Sequence, residues 1–177
     1  PKELSQIKKL KIFISQKNLI KQKNLKINKI LLQEGNFLFN EENLKYFKDF
    51  IDNKFSNKKI VIKKSNFFFK NKNNETISIF PISKLNLFYN EKKLINKITV
   101  NGKIFKFPFK LQWSKNFSTL KSTTLLNIKK LKLAMKNISS NTNEIYTAQN
   151  NIILRNSKFL SNYLIEKKLM NFSSDNS

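Results

Sequence analysis

From Phe105 to Trp113 the side chains alternate without a break, with Phe105, Phe107, Phe109, Leu111 and Trp113 on one side and Lys106, Pro108, Lys110 and Gln112 on the other. That period of two belongs to a strand with one wet face and one apolar face, and no helix accommodates it. Asn101-Gly102 stands just upstream. It is the dipeptide that most readily takes positive φ at both centres of a two-residue turn, so the sequence predicts a hairpin closing there. Counting outward sets Val100 opposite Lys103, Ile98 opposite Phe105, Asn96 opposite Phe107 and Leu94 opposite Phe109. Apolar residues of both arms then share a face. In this register Pro108 lies opposite Ile95 in a non-hydrogen-bonded pair, so its missing N–H is aimed away from the hairpin partner and pairing on that side is expected to be interrupted.

A second constraint is internal repetition. Ile60, Ile62, Asn66, Phe67 and Phe69 repeat Ile30, Leu32, Asn36, Phe37 and Phe39 at one constant offset. A looser third copy matches Ile152, Leu154, Ser157 and Phe159 to Ile60, Ile62, Ser65 and Phe67. Repeated strand units point to an architecture that grows by adding similar elements. Each copy breaks parity, because Ile60 and Ile62 are even-numbered while Phe67 and Phe69 are odd. One extra residue between Lys63 and Asn66 brings all four to one face, which is the action of a β-bulge. Gly35 occupies the same stretch of the first copy, where a bulge tolerates glycine.

The remaining elements follow from pattern and punctuation. Leu10, Ile12 and Ile14 suggest a short strand, with a polar turn at Gln16 to Asn18, and Leu25 to Phe39 reads as strand. Residues 40–55 form the best helix: Asn40 can cap it, Glu41 and Glu42 suit the positive end of the helix dipole, and Leu44, Phe47, Ile51 and Phe55 make an apolar stripe. Such a helix is expected to lie on a sheet, with Asp49 and Asp52 on its solvated side. Ile77 to Pro81 and Ser83 to Tyr89 read as two short strands. Between Ser118 and Ile138 both strand and helix patterns are present, and the β context favours strand. Ser139 to Asn143 reads as a loop, Ile145 to Arg155 and Lys158 to Ile165 as strands, Glu166 to Lys168 as a turn, and Leu169 to Phe172 as the start of another strand before a polar tail at 173–177. The expected fold class is mainly β: a repetitive, curved antiparallel sheet forming an open groove, with one amphipathic helix packed on it. Residues 1–177 read as one β-rich domain, a fragment of a longer repetitive protein.

Chemistry narrows the function further. The chain has no histidine and no cysteine, which removes the usual zinc, copper and haem ligands as well as disulfides. Glutamates are scattered and aspartates few, so no acid/base pair emerges, and nothing resembles a nucleophile elbow or a phosphate-binding glycine loop. No enzyme and no cofactor is expected. A net charge of +24 would ordinarily indicate nucleic acid or an anionic membrane, yet Arg155 is the only arginine, and arginine is the residue that phosphate and base-edge recognition recruits. The Lys, Asn, Ile and Phe enrichment is also what AT-rich codon usage produces. No run of about 18 apolar residues is present to cross a bilayer. Seventeen phenylalanines could pack a core or stack on bases. Their alternation fits a third role better: one sheet face lined to hold lipid chains. The residues expected to line that groove are Leu94, Ile98, Val100, Phe105, Phe107, Phe109, Leu111 and Trp113, joined by Phe37, Phe39, Phe67 and Phe69.

The stretches SNFFFKN, ISKLNLFYNEKKL, NKITVNGKIFKFPFKLQW and NSKFLSNYLIEKKLMNFSS, in that order, resemble AsmA/TamB-type proteins of Gram-negative bacteria as written in an AT-rich genome. The resemblance covers roughly residues 25–174. It implies a periplasmic protein of the cell envelope, anchored in the inner membrane through a helix upstream of Pro1 and related to the bridge-like lipid-transfer proteins of outer-membrane biogenesis. The implied ligand is a phospholipid or other acyl lipid. A basic RNA-binding protein of divergent ribosomal type, organellar or bacterial, is the alternative that the charge leaves open.

Overall fold

The computed structural model describes residues 5–15, 26–142, 145–166 and 169–176. Eleven strands form one open, curved, mixed sheet in strictly sequential order: β1 (Ser5–Ile14), β2 (Ile27–Phe39), β3 (Lys59–Lys70), β4 (Thr76–Asn90), β5 (Ile95–Ile104), β6 (Phe107–Asn116), β7 (Lys121–Ile128), β8 (Leu133–Thr142), β9 (Ile145–Leu154), β10 (Ser157–Glu166) and β11 (Leu169–Asn176). One helix, α1 (Glu41–Asp52), joins β2 to β3. The expected turn at Gln16 to Asn18 falls outside the described residues, as do Leu25, Asn143 and Ser177; of the turn expected at Glu166 to Lys168, Glu166 ends β10 and residues 167–168 lie outside.

The β2-α1-β3 unit departs from a purely antiparallel sheet. β2 and β3 run parallel, and their register sets Ile30 beside Ile60, Leu32 beside Ile62, Asn36 beside Asn66, Phe37 beside Phe67 and Phe39 beside Phe69. The constant offset of the first two copies is therefore a pairing register. Identical side chains meet across the strands, and the rings of Phe39 and Phe69 stack with centroids 5.0 Å apart. The third copy has no such meaning. Arg155 and Asn156 form a hairpin turn, which folds Phe159 back onto Ile152 and Ser157 onto Leu154.

The parity break is real and extends over several strands. Glu34 and Lys64 both take left-handed backbone, φ 55° and 49°, at matching positions of β2 and β3. Gly35 itself has no positive φ. Its N–H donates to Ser65 Oγ at 3.0 Å in place of a ladder bond, and a Cβ there would stand 2.9 Å from the Phe37 ring. In β4 the irregularity becomes a one-residue bulge, because Ile82 pairs with Gly102 and Lys84 with Asn101, leaving Ser83 unmatched. Each kink flips side-chain parity. Ile62, Ile82 and Leu85 thereby bury together, with Leu32, Phe37, Phe67, Phe80, Leu87, Val100 and Phe109 packed around them. Residues 76–90 are thus one bulged strand and not two short ones.

The β5–β6 hairpin is longer than Asn101-Gly102 would make it. Phe105 and Lys106 form the turn, with φ 46° and 69°, and the arms pair Ile104 with Phe107, Gly102 with Phe109, Val100 with Leu111 and Ile98 with Trp113. The turn is displaced by four residues, and because a two-residue turn always pairs an even-numbered with an odd-numbered position, Val100, Phe109, Leu111 and Trp113 keep their common face. Packing explains the displacement. A Cβ on Gly102 would meet the Pro81 carbonyl oxygen at 2.7 Å and the Phe109 ring at 2.9 Å, so this glycine serves close approach to β4 and not a turn. Phe105 leaves the apolar row for solvent, 84% exposed, and Leu94 sits in the β4–β5 turn with φ 52°. Pro108 lies opposite Lys103, and β6 pairs with β7 only from Lys110 to Lys115, so pairing stops before the proline.

Further along, Ser118 to Ile138 resolves into β7, a short 3-10 helix at Lys129–Leu131 and the start of β8. Residues 139–142, expected as a loop, pair with β9, and residues 173–176, expected as a polar tail, pair with β10.

Helix α1 begins as its sequence predicts. Asn40 caps it by accepting the Asn43 N–H at 3.0 Å, and the Asn43 side chain returns the contact to the Asn40 N–H at 3.0 Å. It ends at Asp52, short of Phe55, which buries just beyond it. Asp52 is not free in solvent: its Oδ1 lies 2.7 Å from Lys115 Nζ on β6.

Candidate functional site

Strand registers convert the sequence pattern into a surface. Starting at β1, Leu10 pairs with Leu32, Leu32 with Ile62, Ile62 with Leu85, Leu85 with Val100 and Val100 with Leu111. The row continues through Leu126, Met135 and Ile152 to Phe159 on β10. Ten consecutive strands thus contribute one apolar side chain each to a single line perpendicular to the strands. At about 4.8 Å per strand the line extends about 43 Å.

A parallel row one step away changes character along its length. Ile12, Ile30, Ile60, Leu87, Ile98 and Trp113 are apolar from β1 to β6, whereas Thr124, Asn137, Asn150 and Ser161 follow from β7 to β10. The asparagines bond to one another across strands: Asn137 Nδ2 donates to Asn150 Oδ1 at 2.8 Å, and Asn150 Nδ2 to Ser161 Oγ at 3.1 Å. A hydrogen-bonded polar strip therefore borders the apolar line on β7–β10.

Helix α1 covers part of this face. Phe47 packs on Phe39 with centroids 4.2 Å apart, and Phe55 packs against Trp113 at 6.0 Å. Asn96, fully buried on β5, accepts the Phe55 N–H at 2.9 Å and donates to the Asn53 carbonyl at 2.8 Å, locking the segment after the helix onto the sheet. From β7 onward no helix lies on the face among the described residues. Leu126, Met135 and Ile152 are half-buried there, and Phe159 is exposed, as is Leu10 at the opposite end. At β10 Tyr163 stands beside Tyr146, ring centroids 5.8 Å apart, and burial followed by that neighbour raises its pKa above the ordinary tyrosine value.

The expected groove residues divide accordingly. Ile98, Val100, Phe109, Leu111 and Trp113 share the helix-bearing face with Phe37 and Phe67, and Phe39 and Phe69 extend it at the upper ends of β2 and β3. Phe107 closes the β5–β6 hairpin opposite Ile104. Phe105 and Leu94 are turn residues apart from the others. The sequence reading missed Leu126, Met135 and Ile152, because their continuity with Leu111 is visible only once the registers of β6–β9 are known.

A second feature lies on the opposite face. A trough of about 1330 Å³ runs from the bulge at Ser65 and Ser83 to Asn151 and Ile153 on β9. Its wall follows the alternate register set, with Asn101, Lys110, Asn127, Ala134 and Ile153 in one row. Of the twelve expected groove residues only Phe109 reaches it, and Leu126 and Met135 of the apolar line also border it.

No group of three or more potential metal ligands is present among the described residues. Nor does any helix among them have the length and apolarity to cross a membrane. Comparison with family models, with curated proteins and with solved structures finds no match to this chain.

Proposed function

We propose that this chain is a non-enzymatic lipid-binding segment of an AsmA-like envelope protein, with acyl chains lying along the apolar line from Leu10 to Phe159. The observation that carries the reading is the continuity of that line over ten strands, its last four, β7–β10, beyond the cover of α1. A closed core would need a second layer over β7–β10, where the face instead offers half-buried Leu126, Met135 and Ile152. An acyl chain laid there avoids exposing methylenes worth about 0.8 kcal/mol each, so a chain of ordinary length gains on the order of 10 kcal/mol. Similar contacts at each strand let it shift by one strand spacing without leaving a deep well. The Thr124, Asn137, Asn150 and Ser161 strip gives the polar end of the ligand a hydrogen-bonding border.

The resemblance in sequence texture supports a periplasmic setting, with attachment to the inner membrane through a segment upstream of Pro1. The RNA-binding alternative has the charge in its favour. Against it, many aromatic rings pack on one another, edge to face in Phe37–Phe67 and stacked in Phe39–Phe69 and Phe50–Phe55, and the single arginine sits in the β9–β10 turn. Native mass spectrometry of protein taken from membranes tests the reading: bound phospholipid is expected, and a lipid-free chain that binds single-stranded RNA at low salt overturns it.

A further inference from the structure

We infer that the trough on the face opposite α1 is a second ligand site, selective for an anionic amphiphile with a phosphate head. Six lysines line it: Lys64, Lys103, Lys110, Lys129, Lys130 and Lys136. No aspartate or glutamate lines it, and none of the six lysines takes part in an ion pair among the described residues. Glu34 lies within electrostatic reach of Lys64, and the other five have no acidic neighbour in the lining, so positive charge is concentrated around one concavity and raises the local concentration of anions. Between the lysines the wall combines aliphatic side chains, Pro81, Pro108, Leu125, Ala134 and Ile153, with polar ones such as Ser83, Asn101, Gln112, Asn127 and Asn151.

That combination selects among anions. A free phosphate would satisfy the lysines and leave the aliphatic wall in water. A nucleic acid would need aromatic platforms or arginine planes for its bases, and Phe109 is the sole aromatic residue of the lining. An acyl tail against the aliphatic wall with its phosphate among the lysines uses both. At about 1330 Å³ the trough exceeds the roughly 300–1,000 Å³ of ordinary small-molecule pockets, as a long-chain ligand requires. The bulged segment of β4 supplies Pro81, Ile82 and Ser83 to the trough's lining.

The site shares its ligand class with the lipid reading but occupies the other side of the sheet, so the two are separable. The test uses the chain as it stands and a variant carrying Lys110→Glu and Lys136→Glu, both at exposed strand positions. Each is mixed with vesicles of phosphatidylcholine alone or of phosphatidylcholine with phosphatidylglycerol, and the lipid retained after vesicle removal is weighed by class. The unaltered chain is expected to prefer phosphatidylglycerol. The variant is expected to lose that preference by at least about thirtyfold, the worth of two lysines at an anionic surface before the repulsion of the two new carboxylates, and to retain phosphatidylcholine as before. An unchanged preference in a variant that still retains both lipids overturns the trough and leaves the apolar line standing. Retention of neither lipid by the unaltered chain overturns both sites. Displacement of phosphatidylglycerol by single-stranded RNA that binds tighter and depends on the same lysines overturns the amphiphile in favour of nucleic acid.

Discussion

Phe105 holds a left-handed backbone, φ 46°, with its ring 84% exposed, so it bears the steric cost of that conformation without burial in return. Asparagine takes positive φ far more readily, which predicts that Phe105→Asn stabilises the fold by about 1 kcal/mol. Thermal unfolding should show a rise of about 2–4 °C. Glu34 is strained in the same way, φ 55°, but has a compensating contact: Lys9 Nζ lies 3.1 Å from its carboxylate, and that hydrogen bond, with the charge of Lys9, holds its pKa below the ordinary glutamate value. A carboxyl whose folded pKa is depressed adds stability above its unfolded pKa and loses it as pH falls through the folded value. Glu34→Gln should therefore be modestly less stable than the unaltered chain at neutral pH. The difference should vanish below the carboxylate range and shrink with added salt, as urea titrations at several pH values would record.

At the scale of elements, α1 is fastened to the sheet by a side chain that carries no apolar surface. Asn96 satisfies both the Phe55 N–H and the Asn53 carbonyl where water is excluded. Asn96→Ala leaves a buried donor without a partner, and the expected loss is about 1–3 kcal/mol. Hydrogen exchange should speed up at the Phe55 amide more than at β9 and β10. This contact was illegible in the sequence, because nothing near Asn96 marks it as a partner of residues more than forty positions away. The helix itself was legible from Asn40, its acidic first turn and its apolar stripe. So were the bulge and the shared face of Val100, Phe109, Leu111 and Trp113, since period and parity are local properties. The turn was misplaced because Asn101-Gly102 carries the strongest local turn signal, and the need for a glycine against Pro81 is a property of strand β4, not of the hairpin. The parallel pairing was visible only as a repeat, since an offset in sequence does not say whether two copies stack as units or lie side by side.

At the scale of the whole molecule, sequential strand order turns nine separate registers into one continuous line, and a break at any strand would interrupt it. The bulges at Lys64 and Ser83 lie to one side of the line and bring a second group, Phe67, Ile82 and Phe109, onto the face that Ile62, Leu85 and Val100 share. The lysine-lined trough occupies the other face, so the two faces differ in chemistry. The chain has a single tryptophan, Trp113, placed on β6 beside Leu111 of the line and at the limit of the cover that Phe55 provides. Its fluorescence reports directly on what touches that face. With phospholipid brominated along the acyl chain, Trp113 emission is predicted to fall on binding, and the quenching should weaken in a Leu126→Asp variant that interrupts the line. Undiminished Trp113 emission while the brominated lipid is demonstrably bound would contradict the account.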